Sequence, residues 1–155
     1  MAYADFAFYR DVYYGDVFAD EDPSRKWLER ASDELDTLTF GRLTFAMPEV
    51  EAHVKKVKKA VCAMAEALYY VDTQRSAASA QQVADGSYRG AIASITAGKE
   101  SVSYAIGGTA TTYAAAAASS EAQTALLAEI ACRYISNIPD ANGVNLLYAG
   151  GGLGV

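Results

Sequence analysis

The feature that most constrains the fold is an apolar stripe in the first half of the chain. Steps of four and three residues separate its members, which at 3.6 residues per turn keeps them on one face of an α-helix for about six turns. Pro48 suits the first turn of such a helix, and the pattern predicts a helix over 48–73. The stripe consists of Val50, Val54, Val57, Val61, Met64, Leu68 and Val71.

Two shorter patterns precede this helix. Asp5 can cap a short N-terminal helix, which ends near Gly15. Asp22 fits the cap and Pro23 the first position of a second helix, predicted over 22–38. Its apolar stripe consists of Trp27, Leu28, Ala31, Leu35 and Leu38.

A fourth helix is predicted over 120–135. Ser119 or Ser120 can cap it, and Pro139 excludes its continuation. The Ala- and Thr-rich stretch at 107–119 is interpreted as a loop that leads into it. The helical spacing continues through Ala122, Leu126, Ala128 or Glu129, Ile130 and Tyr134.

The segment between the third and fourth helices changes period. Apolar and small residues alternate from Ser101 to Ile106, which is typical of a half-buried strand, and Gly98-Lys99 suits a two-residue turn. This predicts a β-hairpin over about 90–106. The fold class is therefore mainly α, with about four helices and one hairpin in a single domain over 1–143 and an extended tail over 144–155.

Composition sets the size and charge of this fold. The chain has 155 residues, the size of one ordinary domain, and a formal net charge of −6. An acidic chain is a poor general binder of nucleic acids, because phosphate contacts require clustered Lys or Arg. The local exception is a basic run on the third helix, which is also typical of a solvated face. It consists of Lys55, Lys56, Lys58 and Lys59.

Carboxylates on the second helix raise the question of catalysis. Glu29, Asp33 and Asp36 are spaced i, i+4 and i+7, and enclosed carboxylates can transfer protons or bind a hard metal ion. Arg25 and Arg30 each stand four residues before an acid, as in ion pairs on exposed helices. We therefore interpret the face as solvated and the protein as not an enzyme. A small hydrolase that uses Asp33 and Asp36 is the alternative.

The remaining reactive side chains are isolated. Cys62 and Cys132 lie far apart in Ala-rich surroundings, which predicts two buried thiols in a reducing compartment. His53 is the only histidine, so the Ser, Cys and Thr side chains lack a plausible general base. No phosphate-binding loop or nucleophile elbow occurs in the sequence. We expect no metal and no cofactor.

The first residues are aromatic and acidic. They lack the basic start and apolar stretch of a signal peptide. No run approaches the roughly 18–20 apolar residues of a membrane span. We expect a soluble protein that is intracellular when made and has no membrane contact.

Short motifs occur along the chain in a recognisable order. An aromatic segment ends in Tyr13-Tyr14-Gly15, and the second helix carries Arg30-Ala31-Ser32. Asp36 and Thr39-Phe40-Gly41-Arg42 follow. Residues 57–69 read VKKAVCAMAEALY, and the predicted hairpin carries Gly90, Ser94 and Ser101-Val102-Ser103-Tyr104.

In this order, the motifs resemble the head–tail connector (adaptor, or head-completion) proteins of long-tailed bacteriophages. The resemblance covers most of the chain. It departs at the end, where NLLYAGGGLGV stands in place of the tail that often reads Thr-Gly-Leu-x-Tyr-Arg-Gly, and at 107–119, which is longer than usual.

The resemblance implies a structural virion protein at the neck, made in the host cytoplasm. Such proteins form a ring, usually twelve-fold, beneath the portal protein. They extend the DNA channel, without sequence-specific recognition of the packaged DNA, and provide an attachment surface for stopper or tail-completion proteins. A stopper or tail terminator is the alternative within the neck, and those proteins are typically richer in β structure.

Four sets of residues carry the functional expectations. Some of the four lysines on the third helix are expected to face the channel or a neighbouring subunit's acids. The hairpin and the 107–119 stretch are expected to contact a subunit or the tail. An ion pair between Asp36 and Arg42 fixes the turn into the third helix. The tail over 144–155 docks on the portal through Leu146, Leu147, Tyr148 and Leu153.

Overall fold

The computed structural model describes residues 2–85 and 112–148 and is mainly helical. No strand occurs in these two ranges, where an isolated antiparallel bridge joins Pro139 and Asn145. The predicted hairpin over 90–106 lies outside the described residues. The helices are α1 (Phe6–Asp11), α2 (Glu21–Leu38), α3 (Arg42–Phe45), α4 (Glu51–Asp85), α5 (112–118) and α6 (Ser120–Ile135).

The chain divides into two compact units. The first comprises Met1–Leu68 and Leu127–Val155, and the second comprises Tyr69–Leu126. Burial in the first unit confirms most of the two predicted stripes on α2 and α4. Each large apolar side chain buried there contributes about 1.5–3 kcal/mol. The central residues are Leu28, Leu35, Val57, Val61, Met64, Leu127, Ile135 and Leu146.

Helix α1 begins where the sequence predicts. The Asp5 carboxylate accepts a hydrogen bond from the Phe8 amide at 2.8 Å, as an N-cap does. The helix ends at Asp11, and the Gly15 amide donates back to the Tyr9 carbonyl at 2.9 Å. A Cβ atom on Gly15 would lie 2.1 Å from Cζ of Tyr9, so only glycine fits against that ring.

A left-handed turn connects α2 to α3. Helix α2 begins at Glu21, one residue before the prediction, with Asp20 at the cap. Beyond its last residue, Phe40 and Gly41 have φ angles of 55° and 75°. After this turn, the side chain of Arg42 lies in the interior. Helix α3 begins at Arg42, and no periodicity in the sequence had indicated it.

Helix α4 differs from the prediction at both ends. It begins at Glu51 rather than Pro48, because the Val50 carbonyl accepts the first helical hydrogen bonds, from the amides of His53 and Val54. Val50 thus precedes the helix, and its side chain is 54% exposed. At the other end the helix continues from residue 73 to Asp85, through an Ala- and Gln-containing stretch of good helix formers.

Helix α6 has the predicted bounds. Ser119 accepts a hydrogen bond from the Ala122 amide at 3.3 Å, which confirms the cap. The fully buried positions are Leu127, Ala131 and Ile135. The residues whose spacing predicts this helix include Ala122, Leu126, Ile130 and Tyr134, and these four are half-buried.

The second unit is described over Tyr69–Asp85 and 112–126. The rings of Tyr70 and Tyr113 pack with centroids 5.0 Å apart. The Arg75 guanidinium donates to Oε1 of Gln123 at 3.0 Å and to the Ala117 carbonyl at 3.4 Å. Residues 112–118, which were predicted as a loop, are helical and bury Ala116.

Candidate functional site

A buried ion pair holds the C-terminal segment of the first unit against α3. Nη1 of Arg42 lies 3.6 Å from Oδ2 of Asp140, and both side chains are almost fully buried. Nη2 of Arg42 donates to the Tyr148 carbonyl at 2.9 Å, across 106 positions of sequence. Nε of Arg42 is buried without a hydrogen-bond partner among the residues that the structure describes. We call Arg42, Asp140 and the Tyr148 carbonyl the C-terminal anchor.

Asp140 also shapes the turn that follows it. Its Oδ1 accepts hydrogen bonds from the amides of Asn142 at 2.8 Å and Val144 at 3.0 Å. The next residue, Ala141, donates its amide to the Ala46 carbonyl just after α3 at 3.0 Å. One carboxylate thus lies against the Arg42 guanidinium and accepts hydrogen bonds from two backbone donors.

The predicted Asp36–Arg42 ion pair is wrong. Oδ1 of Asp36 accepts instead from the Tyr3 hydroxyl at 2.6 Å and from the Thr44 hydroxyl at 3.1 Å. Burial, with the hydrogen bond to Asp36, raises the pKa of Tyr3 to about 12. The left-handed turn at Phe40 and Gly41 lies between the two predicted partners. Arg42 is buried beyond this turn, whereas Asp36 accepts from the hydroxyl groups of Tyr3 and Thr44.

The predicted portal-docking residues have different environments. Leu146 is fully buried, so the expectation that it is available to a partner is wrong. Its amide donates to the Ile138 carbonyl at 2.9 Å, which holds it in the core. Leu147 is partly exposed, Tyr148 is 50% exposed, and Leu153 lies outside the described residues.

Exposed aromatic side chains accompany the C-terminal anchor. Phe45 is 89% exposed although it belongs to the same one-turn helix as the buried Arg42. Tyr148 is exposed although its carbonyl is held by Arg42. Large exposed apolar side chains on a folded unit are typical of contact surfaces. The anchor and these two rings therefore form the candidate functional site.

The four lysines of α4 lie on the first unit, close to α1. Lys55 and Lys56 are exposed, whereas Lys58 and Lys59 are half-buried. Nζ of Lys58 lies 5.5 Å from the centre of the Phe8 ring, a cation–π contact. Lys55 and Lys58 border a shallow groove of about 300 Å³ between α1 and α4.

The carboxylates of α2 are dispersed. Asp33 is exposed, Glu29 and Glu34 are half-buried, and Asp36 accepts from two hydroxyl groups. Within residues 2–85 and 112–148, no group of three or more His, Cys, Asp or Glu side chains could hold a metal ion.

A buried polar network was missed by the sequence reading. The Tyr9 hydroxyl donates to Oε1 of Glu66 at 2.8 Å, and the Tyr13 hydroxyl lies 3.4 Å from Oε2. The Tyr9 oxygen in turn accepts from the Val17 amide at 2.8 Å. Burial raises the pKa of Glu66, and Asp16 raises it further. The signal in the sequence was Glu66 itself, an acid among the apolar residues of α4.

The two cysteines differ. Cys62 is buried, and burial raises the pKa of its thiol to about 12. Cys132 is exposed, so the prediction of two buried thiols was wrong for this residue. The prediction rested on the Ala-rich sequence around Cys132, which does not determine the face of α6 that is buried.

Among the described helices, none has a stretch long and apolar enough to cross a membrane. Comparisons with protein-family models, with curated proteins and with solved structures gave no match to this chain.

Proposed function

We propose that this protein is the head–tail connector of a long-tailed bacteriophage. Its subunits assemble into a ring, usually twelve-fold in this family, that docks beneath the portal protein and extends the DNA channel. The ring offers a surface to a stopper or tail-completion protein. The protein acts in the virion neck and has no catalytic role. The proposal begins from the ordered motifs that resemble this family.

The C-terminal anchor is the observation that carries the proposal. A segment that docks on another protein needs a fixed base, because ordering a free segment on binding costs conformational entropy. Arg42 holds the backbone at Tyr148, immediately before the Gly-rich stretch AGGGLGV. Phe45, in the same short helix as Arg42, and Tyr148, whose carbonyl Arg42 binds, both have exposed rings.

The mainly helical structure also supports a connector over its neighbours in the neck. Stopper and tail-terminator proteins are typically richer in β structure, and the described parts of this chain contain six helical segments and no strand. The predicted order of helices along the chain is the order observed.

Deletion of residues 149–155 tests the proposal. We expect the shortened protein to fold, because Leu146 and the anchor are retained, but to be lost from capsids that carry a portal and lack their own connector. Co-sedimentation of purified protein with such capsids measures this.

Replacement of residues 149–155 by a Gly/Ser segment of equal length is the control for chain length, and should also fail to attach. The variant Tyr148→Ala reports the aromatic contribution separately, since only the carbonyl of that residue joins the anchor. Normal capsid attachment by the shortened protein would contradict the docking role.

A further inference from the structure

Two surfaces of opposite charge flank α1 on the first unit. A cleft of about 210 Å³ lies between the N-terminal residues and α2. Its floor includes Phe6 and Leu28, and its rim includes Asp5, Glu21, Glu29 and one cation, Arg25. We call it the acidic cleft. The other surface is the basic groove between α1 and α4, bordered by Lys55, Lys58 and one acid, Glu51.

The two surfaces face away from each other. Phe6 lines the acidic cleft, whereas Phe8 lines the basic groove. Residues two positions apart on a helix point about 200° apart at 3.6 residues per turn. The rings of Phe6 and Phe8 therefore leave α1 on nearly opposite sides. Within one molecule, the lysines of the groove are therefore separated from the acidic cleft by the body of α1.

The acidic cleft has the chemistry of a lysine receptor. The aliphatic stem of a lysine can lie on Phe6 and Leu28 while its ammonium group reaches the carboxylates at the rim, because lysine side chains bury their stems and keep their charge near polar groups. Glu21 is exposed at the first turn of α2. A half-enclosed cleft of this kind also strengthens an ion pair relative to open solvent.

The chain itself supplies the matching group. Lys55 and Lys56 are exposed neighbours on α4, in the most concentrated basic run of a chain whose net charge is −6. Lys58 is held over the Phe8 ring, so the first two lysines are the ones that extend from the surface. Two different complementary surfaces on one subunit are what a head-to-tail contact requires, and such contacts close into rings.

We propose that Lys55 and Lys56 of one copy of this chain occupy the acidic cleft of a second copy, and that this contact joins neighbouring subunits of the ring. The inference rests on the proposed ring assembly and names the surfaces that form it. Exposed ion pairs contribute only about 0–1 kcal/mol each. The apolar floor of the cleft therefore supplies area, and the charges select the orientation of the two copies.

A charge exchange tests this contact. The first variant, Lys55→Glu with Lys56→Glu, has two acidic surfaces. The second, Glu21→Lys with Glu29→Lys, has two basic surfaces. We expect each variant alone to associate at least about tenfold more weakly than wild type, a change of about 1.4 kcal/mol. We expect an equimolar mixture to recover association, because every contact in it is again between opposite charges.

Mass photometry in low salt measures the assembly, and circular dichroism verifies that each variant is folded. The control is Arg30→Glu with Arg133→Glu, which makes the same change in net charge at exposed positions of α2 and α6 and should assemble like wild type. Salt should weaken the wild-type contact, because it screens charges over about 8–10 Å at 0.1–0.15 M.

Three results would overturn the inference. They are wild-type assembly by the first variant, a mixture that associates no better than its components, and a wild-type chain that stays monomeric in low salt at high micromolar concentration. Loss of DNA binding by the first variant with unchanged assembly would assign the lysines to DNA instead. These measurements require no capsid, so their failure is separate from failure of portal docking in the deletion experiment.

Discussion

At the scale of single residues, the Arg42–Asp140 pair makes the first unit sensitive to changes that leave its apolar core intact. Both groups are buried, and removal of one partner from a buried pair costs about 3–5 kcal/mol, because the other charge is left without compensation. The backbone amides of Asn142 and Val144, which donate hydrogen bonds to Asp140, would also lose their acceptor.

We therefore expect Asp140→Ala to lower the free energy of unfolding by about 3–5 kcal/mol. Asp140→Asn should cost less, because its amide oxygen can still accept from the two backbone donors. Urea unfolding followed by circular dichroism measures both variants. Equal stability of Asp140→Ala and wild type would show that the buried pair contributes nothing net.

A second prediction at this scale concerns Glu66 and the direction in which stability changes with pH. Burial raises the pKa of Glu66 in the folded state. The folded protein therefore binds the proton more tightly than the unfolded chain, and this contribution to stability is lost as the pH rises through the folded pKa. The stability of Glu66→Gln relative to wild type should consequently increase from pH 4 to pH 7.

Thermal unfolding of the two proteins across that range measures the difference. Glu49→Gln, which removes an exposed carboxylate, is the control for the change in net charge. A constant difference between wild type and Glu66→Gln at every pH would contradict the role assigned to burial. The tyrosine hydrogen bonds oppose the shift by favouring the carboxylate, so Tyr9→Phe should raise the folded pKa of Glu66 further.

Single residues were also the scale at which sequence predicted least. Asp36 and Arg42 were assigned to each other because they are close along the chain, whereas the true partners of Arg42 are Asp140 and the carbonyl of Tyr148. No periodicity relates positions a hundred residues apart, so only the folded backbone determines these contacts. Leu146 was misassigned for the same reason, since an apolar residue in a Gly-rich segment fits a docking tail or a core equally well.

At the scale of elements, the prediction was much more accurate. Amphipathic repeats and capping residues are local signals, and they located α1, α2, α4 and α6 to within a few residues at most of their ends. The exception is the end of α4, where the apolar stripe stops near Val71 but good helix formers continue to Asp85. Helix α3 was missed because four residues carry no periodicity.

Gly15 determines how the connection between α1 and α2 is built. Its added Cβ would lie 2.1 to 2.6 Å from two ring atoms and the hydroxyl oxygen of Tyr9, so the ring must move. We expect Gly15→Ala to destabilise the protein by about 1–3 kcal/mol, as overpacking does, and to change the near-ultraviolet circular dichroism of the tyrosines.

Gly143→Ala is the matched control. Gly143 has a φ of +83° and no atom within 4 Å of an added Cβ. This substitution should therefore cost only backbone strain, about 1–2 kcal/mol, with an unchanged tyrosine spectrum. A wild-type melting temperature and a wild-type spectrum for Gly15→Ala would contradict the close approach of Tyr9.

At the scale of the whole molecule, the C-terminal segment has two parts with different roles. Residues up to Tyr148 contribute the fully buried Leu146 and the carbonyl bound by Arg42. The predicted boundary at residue 144 therefore passes through the folded unit rather than between the unit and a tail. Sequence could not separate the part of this segment that belongs to the core from the part that is proposed to dock.

Two truncations separate these parts. A chain that ends at residue 148 should unfold at nearly the wild-type urea concentration. A chain that ends at residue 143 should lose at least about 3 kcal/mol, because it loses a buried leucine and leaves a buried guanidinium short of an acceptor. Equal stability of the two truncated chains would show that residues 144–148 are not part of the core.

The bond between Arg42 and Tyr148 also has a consequence for the order of events during translation. Arg42 leaves the ribosome about a hundred residues before its partners, and domains fold from chains made at about 5–20 residues per second. Until Asp140 and Tyr148 emerge, burial of Arg42 is uncompensated, so we expect the first unit to remain incompletely folded. The first unit would then reach its complete fold only after synthesis has passed residue 148.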